Sequence, residues 1–195
     1  SADIFSVAEG TDAVATLTGS DAEGDSVSFS STLAGADAAD FTLSSSGALA
    51  FAATPNFEAP ADAGTDNVYN ITATITDGTN TSTQAITVTV TNLNDAPVIS
   101  SSNTANAAEN QTAAIDVNHT DADSDTITYT ISGGVDADLF NIDSGTGVVT
   151  FKAAPNFEAP GSNASSNNYV INVTATDDGT GTLADSQTIT ISVTD

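Results

Sequence analysis

The chain has 195 residues, with one lysine, no arginine and one histidine against 26 acidic side chains, a formal net charge of −25 at pH 7. Such a charge excludes the positive footprint on which nucleic acids and anionic membranes dock. Cysteine is absent, which excludes a disulfide framework and zinc–thiolate sites. No apolar run approaches the ~18–20 residues of a membrane span, so direct membrane insertion is not expected, and no charged-then-apolar signal segment opens the chain. The sequence reads as part of a longer protein, starting within a pattern and stopping at Thr194-Asp195.

The apolar fraction is a modest 39%, but it is organised. Short strands are predicted over residues 14–17, 27–29 and 49–51, and a single helical turn over 34–39. Tyr69, Ile71, Ala73 and Ile75 then alternate with Asn70, Thr72, Thr74 and Thr76, the period-two signature of a half-buried strand. Ile86, Val88 and Val90 alternate with threonines in the same way. Residues 91–98 form a short joint, in which Pro97 biases Ala96 towards an extended backbone. Strands follow at 115–117, 127–131 and 148–151, with a helical turn at 135–139, and alternation returns at Tyr169, Ile171, Val173 and Ala175 and at Ile189, Ile191 and Val193. Threonine-rich, β-branched strands with Gly, Asp, Asn and Ser turns predict antiparallel sheets, about seven short strands per hundred residues, and a β-sandwich. Phe41, Phe51, Phe57 and Tyr69, with Phe140, Phe151, Phe157 and Tyr169, are the expected core anchors. Asp37, Asp40, Asp136 and Asp138 are expected to serve turns, and His119 to lie at a strand end on the surface.

The hexapeptide Pro55-Asn56-Phe57-Glu58-Ala59-Pro60 recurs unchanged as Pro155-Asn156-Phe157-Glu158-Ala159-Pro160, so one unit occurs twice. The boundary is expected at 1–95 and 96–195. The acids repeat with it: Glu9 with Glu109, Asp21 with Asp121, Asp25 with Asp125, Glu58 with Glu158, Asp77 with Asp177. Four of the five glutamates fall at such pairs, which indicates placement rather than scatter. With almost no Lys or Arg to offset them, dissolved cations are the natural counter-charge. Hard oxygen donors from Asp, Asn and Glu suit calcium, which takes roughly 6–8 oxygens, better than magnesium with its stricter octahedron. Zinc and copper call for His or Cys clusters that the chain lacks. Asp121-Ala122-Asp123-Ser124-Asp125 opens like an EF-hand loop, but its sixth position is Thr126 and its twelfth is Ser132, not Gly and Glu.

These motifs resemble the cadherin superfamily, in the bacterial cadherin-like form found in large secreted or surface adhesins. The resemblance implies two tandem seven-stranded Greek-key β-sandwiches of cadherin or immunoglobulin-like type. It also implies Ca2+ at the repeat junction, with Glu9, Glu58, Asn92, Asn94, Asp95, Asp121, Asp123 and Asp177 as ligands. Weaker half-sites would face neighbouring repeats: Asp21, Glu23, Asp25 and Asp77 at one end, Glu109, Glu158 and Asp195 at the other. Asn56 and Asn92 stand where the family has Asp, so fewer or weaker ions are expected than at a full junction.

The function expected from the resemblance is a calcium-rigidified extender or adhesion module of a bacterial extracellular or cell-surface protein, with neighbouring repeats as its partners. The alternative is calcium-dependent polysaccharide binding or homophilic self-association. Tryptophan is absent and most aromatics are expected in the core, which argues against a stacking platform for sugars. Catalysis is not expected. Glu58 and Glu158 sit at equivalent positions of different repeats, about one repeat length apart, whereas carboxylate-pair hydrolysis needs ~5–9.5 Å.

Overall fold

The computed structural model describes residues 2–195. Among these residues there is no α-helix, and no helix is long and apolar enough to cross a membrane. The chain divides into two units, one ending at Leu93 and the other spanning Asn94–Asp195, and each is a β-sandwich.

The first unit contains β1 (Asp3–Ala8), β2 (Ala13–Thr16), β3 (Ser28–Phe29), β4 (Phe41–Leu43), β5 (Ala48–Phe51), β6 (Val68–Thr76) and β7 (Thr81–Thr91). One sheet runs β1-β7-β6-β3 and the other β2-β5-β4. β1 lies parallel to β7; the remaining pairs are antiparallel. The long pair β6–β7 follows from its alternation. Tyr69, Ile71 and Ala73 face Val88, Ile86 and their neighbours in the core, while Thr72 and Thr74 point outward. Tyr69 stands edge-on to Phe41 and Phe51, with ring centroids 5.6 and 5.2 Å away. Its hydroxyl accepts a bond from Ala61 N–H at 3.2 Å.

The second unit contains β8 (Val98–Ile99), β9 (Thr104–Ala108), β10 (Ala113–Asp116), β11 (His119–Thr120), β12 (Thr128–Gly133), β13 (Phe140–Ile142), β14 (Val148–Phe151), β15 (Asn168–Thr176) and β16 (Ala184–Thr194). Its sheets run β12-β15-β16-β9 and β10-β14-β13, with a separate β11-β8 pair. Tyr169 repeats the packing of Tyr69 against Phe140 and Phe151, and its hydroxyl accepts from Gly161 N–H. The turns between β4 and β5 and between β13 and β14 need glycine. Gly47 and Gly147 have φ of 92° and 77°, and a Cβ at either would overlap the carbonyl oxygen of Leu17 or Val117.

The expected helical turns are short 3-10 segments, Ala38–Asp40 and Ala137–Leu139. Other expectations need correction. Phe57 is half-buried and only abuts its core, and Phe157 is 37% exposed, so this residue of the repeated hexapeptide is not a core anchor. His119 is half-buried in β11, with Nδ1 against the Tyr129 hydroxyl. Asp37 and Asp136 do more than serve local turns. Both are 3% exposed and fasten distant segments. Asp37 accepts from Ala63 N–H (2.7 Å) and Asn70 N–H (2.6 Å), and Asp136 from Asn163 N–H (2.6 Å) and Val170 N–H (2.8 Å).

Asp136→Ala removes both acceptors and leaves two amides in need of partners. Urea unfolding should show the second unit destabilised by about 2–4 kcal/mol, from the cost of unsatisfied groups. Asp138→Ala, at an exposed neighbour, should change stability by less than ~0.5 kcal/mol.

Candidate metal centres

At the end of β1, the Glu9 side chain turns inward and is 6% exposed. Its Oε2 accepts from Phe57 N–H at 2.7 Å and its Oε1 from Leu93 N–H at 2.8 Å. Gly10 N–H donates to Pro55 O at 3.0 Å. One carboxylate therefore ties β1 to the Pro-Asn-Phe-Glu loop and to the chain leaving β7. Asn67, at φ 62°, reinforces that loop by donating from Nδ2 to Phe57 O at 2.8 Å. Glu58, carried by the same loop, brings a carboxylate oxygen within 4.8 Å of one on Glu9. Asn56 spends its amide oxygen on its own turn, accepting from Ala59 N–H at 2.7 Å.

The second unit repeats this construction. Glu109 Oε2 accepts from Phe157 N–H (3.0 Å), Asn110 N–H donates to Pro155 O (2.9 Å), and Asn167 Nδ2 donates to Phe157 O (3.1 Å). Carboxylate oxygens of Glu109, Glu158 and Asp195 lie within 4.8 Å of one another. The hexapeptide thus has a mechanical role. It presents a backbone N–H that holds one glutamate and carries a second glutamate to meet it.

A different acidic set lies at the other end of the second unit's chain path. The Asp121–Asp125 turn closes with Ser124 at φ 62° and Asp125 N–H donating to Asp121 Oδ1 at 2.9 Å. Carboxylate oxygens of Asp121, Asp123 and Asp125 lie within 4.8 Å of one another. Asp95 N–H donates to Asp123 Oδ2 (2.7 Å), and Asn94 Nδ2 to Asp177 Oδ2 (3.0 Å). Asp177, 4% exposed, also accepts from Leu183 N–H at 2.9 Å. Asp178 accepts from Thr126 N–H at 2.8 Å. The Asn94-Asp95 segment that leads into β8 is thereby drawn into the acidic turn.

Two observations fit this set to a hard cation. The Oδ2 atoms of Asp121 and Asp125 are buried and accept no hydrogen bond among the described residues, a costly state for an anion unless something else coordinates it. Gly179 makes the space: a Cβ there would overlap Asn94 Oδ1 and Asp125 Oδ2. All potential ligands are oxygens, the donor type of calcium. The Asp125 carboxyl is held above the usual carboxylate range by burial, then by the charges of Asp121, Asp178, Asp123 and Asp177. The one lysine gives no relief, since Lys152 Nζ donates to Asp138 O.

The remaining expected ligands are less gathered. Asn92 is exposed just beyond β7. Asp21 Oδ1 accepts from Glu23 N–H and Asp25 N–H within its own turn. Asp77 bends onto its own turn, accepting from Asn80 N–H (2.5 Å), Thr79 N–H (2.7 Å) and Asn80 Nδ2 (3.1 Å). Those bonds, the Asn80 amide foremost, hold its carboxyl below the usual range. Asp21, Glu23 and Asp77 form no carboxylate trio among the described residues. Sequence reasoning left Asn67, Asp178 and Gly179 unassigned and kept Asp125 out of the ligand set. Asn67 and Asp125 carried a signal, since both recur at an offset of 100. Thr79 stands opposite Gly179, so the repeat gave no hint of the cradle.

Residues 103–194 match the family model of the cadherin domain. Over the whole chain, the fold matches crystal structures of human Protocadherin-24 EC1-2 (TM-score 0.67, 18% identity, 100% of this chain and 95% of that chain) and human CDH23 EC21-23 (0.59, 19%, 99% and 72%). Mouse Cadherin-23 EC22-24 matches at 0.56, with 18% identity over 100% of this chain and 62% of that one. The chain folds as two tandem cadherin-like β-sandwiches, the second of which matches the cadherin family model. None of the curated proteins compared matches it. The cadherin repeat is a structural, non-enzymatic module; such repeats are extracellular, bind calcium at their linkers and usually occur in longer tandem arrays.

Gly179→Ala should push a methyl group into the cradle and weaken calcium binding at least tenfold by calorimetry, with unchanged far-UV circular dichroism. Because Asp125 titrates above the ordinary aspartate range, the calcium-free second repeat should lose stability as pH rises through that raised value. A proton competes with the cation over the same window. Calcium affinity should therefore fall as pH drops through that raised value, and Asp125→Asn should reduce that pH dependence.

Proposed function

We propose that these repeats form a calcium-rigidified extender of a bacterial secreted or cell-surface adhesin, with the repeat boundary between Asp95 and Ala96. In this reading Glu9 and Glu58 of the first repeat, with Asn92, Asn94 and Asp95 of its linker, act together with Asp121, Asp123 and Asp177 of the second on shared Ca2+. Asp21, Glu23 and Asp77, and Glu109, Glu158 and Asp195, engage further repeats of a longer array. The observation that carries the reading is the pair of buried, unbonded oxygens on Asp121 and Asp125 inside a set of oxygen ligands. The double occurrence of the Glu–loop–Glu construction supports it.

The mechanism is electrostatic. Carboxylates brought within a few ångströms repel one another unless a cation offsets them. Without calcium the joint is loosened by that repulsion; with calcium, the two repeats share ligands and their angle is fixed. Extracellular calcium modules commonly bind at ~10⁻⁴–10⁻³ M. At free calcium ~100-fold above the dissociation constant, one site stabilises the bound form by ~2.7 kcal/mol. Stiffness then follows the calcium level of the surroundings.

Calcium titrated into the chelator-treated chain should give saturable heat, and small-angle scattering should report a narrower distribution of longer particles. Glu58→Ala and Asp121→Ala should each weaken calcium binding while leaving both sandwiches folded. Absence of heat and of shape change at millimolar calcium would sink the proposal.

A further inference from the structure

The repeated hexapeptide also walls a cleft that both copies share. In the first repeat a cleft of about 220 Å3 opens among Asp40, Phe51, Ala53, Pro55, Ala59 and Tyr69. One of about 270 Å3 stands at the matching place in the second, with Phe151, Ala153, Pro155, Ala159 and Tyr169 in its lining. Backbone bonds align the two: Ala52 N–H donates to Asp40 O and Lys152 N–H to Leu139 O, both at 2.8 Å. Asp40 thus corresponds to Leu139, Ala39 to Asp138 and Ala52 to Lys152, and the linings differ at these three places. In the second repeat the chain's one lysine lines the cleft, and its Nζ donates to Asp138 O at 2.8 Å. In the first, an exposed alanine stands in its place and Asp40 adds a carboxylate to the lining. Asp40 is half-buried, and among the described residues its carboxylate accepts no hydrogen bond. Burial, then the charges of Asp37 and Asp62, hold that carboxyl above the usual range.

We propose that the first-repeat cleft is a receptor for a primary ammonium group on an aliphatic stem, the side chain of a lysine presented by a partner peptide. The second copy shows the arrangement with the chain's own lysine. The partner's stem lies along Ala52, Ala53 and Pro55, and its ammonium meets the Asp40 carboxylate and the carbonyl of Ala39, the counterpart of Asp138 O. Three features select this class. A lysine buries its methylene stem on apolar surface while its head stays at a polar rim, and the cleft offers alanine and proline beside a carboxylate. An ammonium carries three donors and no acceptor, so a carboxylate and a main-chain carbonyl suit it. An acidic group is repelled by Asp40 with Asp37 and Asp62 near it, while the net charge of −25 draws cationic partners to the chain. None of these residues belongs to the carboxylate trios, so the site stands apart from the calcium reading.

The test is an NMR titration of the ¹⁵N-labelled full chain at pH 7 with a capped Gly-Ser-Lys-Ser-Gly peptide, in salt near the physiological level so that long-range attraction is screened. A single ion pair at an open cleft binds weakly, so saturation is expected only at millimolar peptide. Saturable shifts should appear at Ala39, Asp40, Ala52 and Ala53, with none at Lys152 or Ala153, where the chain's own lysine holds the place. The same peptide with its lysine acetylated on Nε should bind at least tenfold more weakly. Asp40→Asn should lose the shifts, and so should Ala52→Lys, a change at an exposed position that copies the second repeat into the first. Lys152→Ala combined with Leu139→Asp should bring equivalent shifts to Ala153. No saturable shift at residues 39–40 and 52–53 overturns the proposal, as does equal binding of the acetylated peptide. Binding that survives both Asp40→Asn and Ala52→Lys, or shifts spread over the acidic turns without a centre at the cleft, would show attraction to the overall charge alone and overturn it equally.

Discussion

A chain with 26 acids and a single lysine has to satisfy its carboxylates with neutral donors, and both repeats use backbone N–H groups for this. Glu9 spans Phe57 and Leu93, Asp37 spans Ala63 and Asn70, and Asp62 spans Asp66 and Asn67. Each such carboxylate takes the place of a strand or a salt bridge in holding a loop. Bonds from amides to a charged acceptor are stronger than neutral ones, which makes these side chains effective fasteners. They also fix the remaining oxygens in place. The acidic sets are thus ordered before any ion arrives, and less conformational entropy is lost when one binds.

The two copies show which of these fasteners tolerate change. Asp62 becomes Ser162, and the turn persists: Ser162 Oγ accepts from Ser166 N–H at 3.0 Å, while Thr65 and Ser165 keep φ of 52° and 50°. A hydroxyl suffices there because the turn needs only one acceptor oriented at a nearby amide. Removing Asp62 also removes a neighbour that, after burial and Asp37, raises the Asp40 carboxyl. At Glu9 and Glu109 both copies keep the longer acid. A hydroxyl there could still cap a local amide, but it could not reach from β1 to the hexapeptide loop.

Much of the fold was legible from alternation. The four long strands β6, β7, β15 and β16 carry it over nine to eleven residues, and their buried faces are the ones the pattern names. The short strands were harder because neighbouring geometry decides their ends. Val117 is fully buried, yet it lies beyond β10, its N–H given to Gly147 O in a turn. Phe157 was misjudged for a related reason. The hexapeptide is conserved between the copies by the amide it offers to Glu109, so its aromatic ring need not be inside. Asp37 and Asp136 were read as turn residues because their partners lie 26 to 34 residues ahead, beyond any local pattern.

The site was legible where repetition marked it and silent where geometry made it. Glu9, Glu58 and their counterparts stood out because five acidic positions recur at one offset. Gly179 carried no such mark, although its missing side chain leaves room for Asn94 and Asp125 together. The same distinction bears on how a single repeat relates to an ion. A trio such as Glu109, Glu158 and Asp195 offers one gathered oxygen from each residue, whereas calcium takes roughly 6–8. The Glu109 Oε2 atom is already shared with Phe157 N–H. A set of this kind is therefore complete only when water or further oxygen-bearing chain supplies the rest. In a module that recurs in tandem, the natural source of that chain is the next copy. On the extender reading proposed above, that demand for further oxygens is what would let calcium couple one repeat to another.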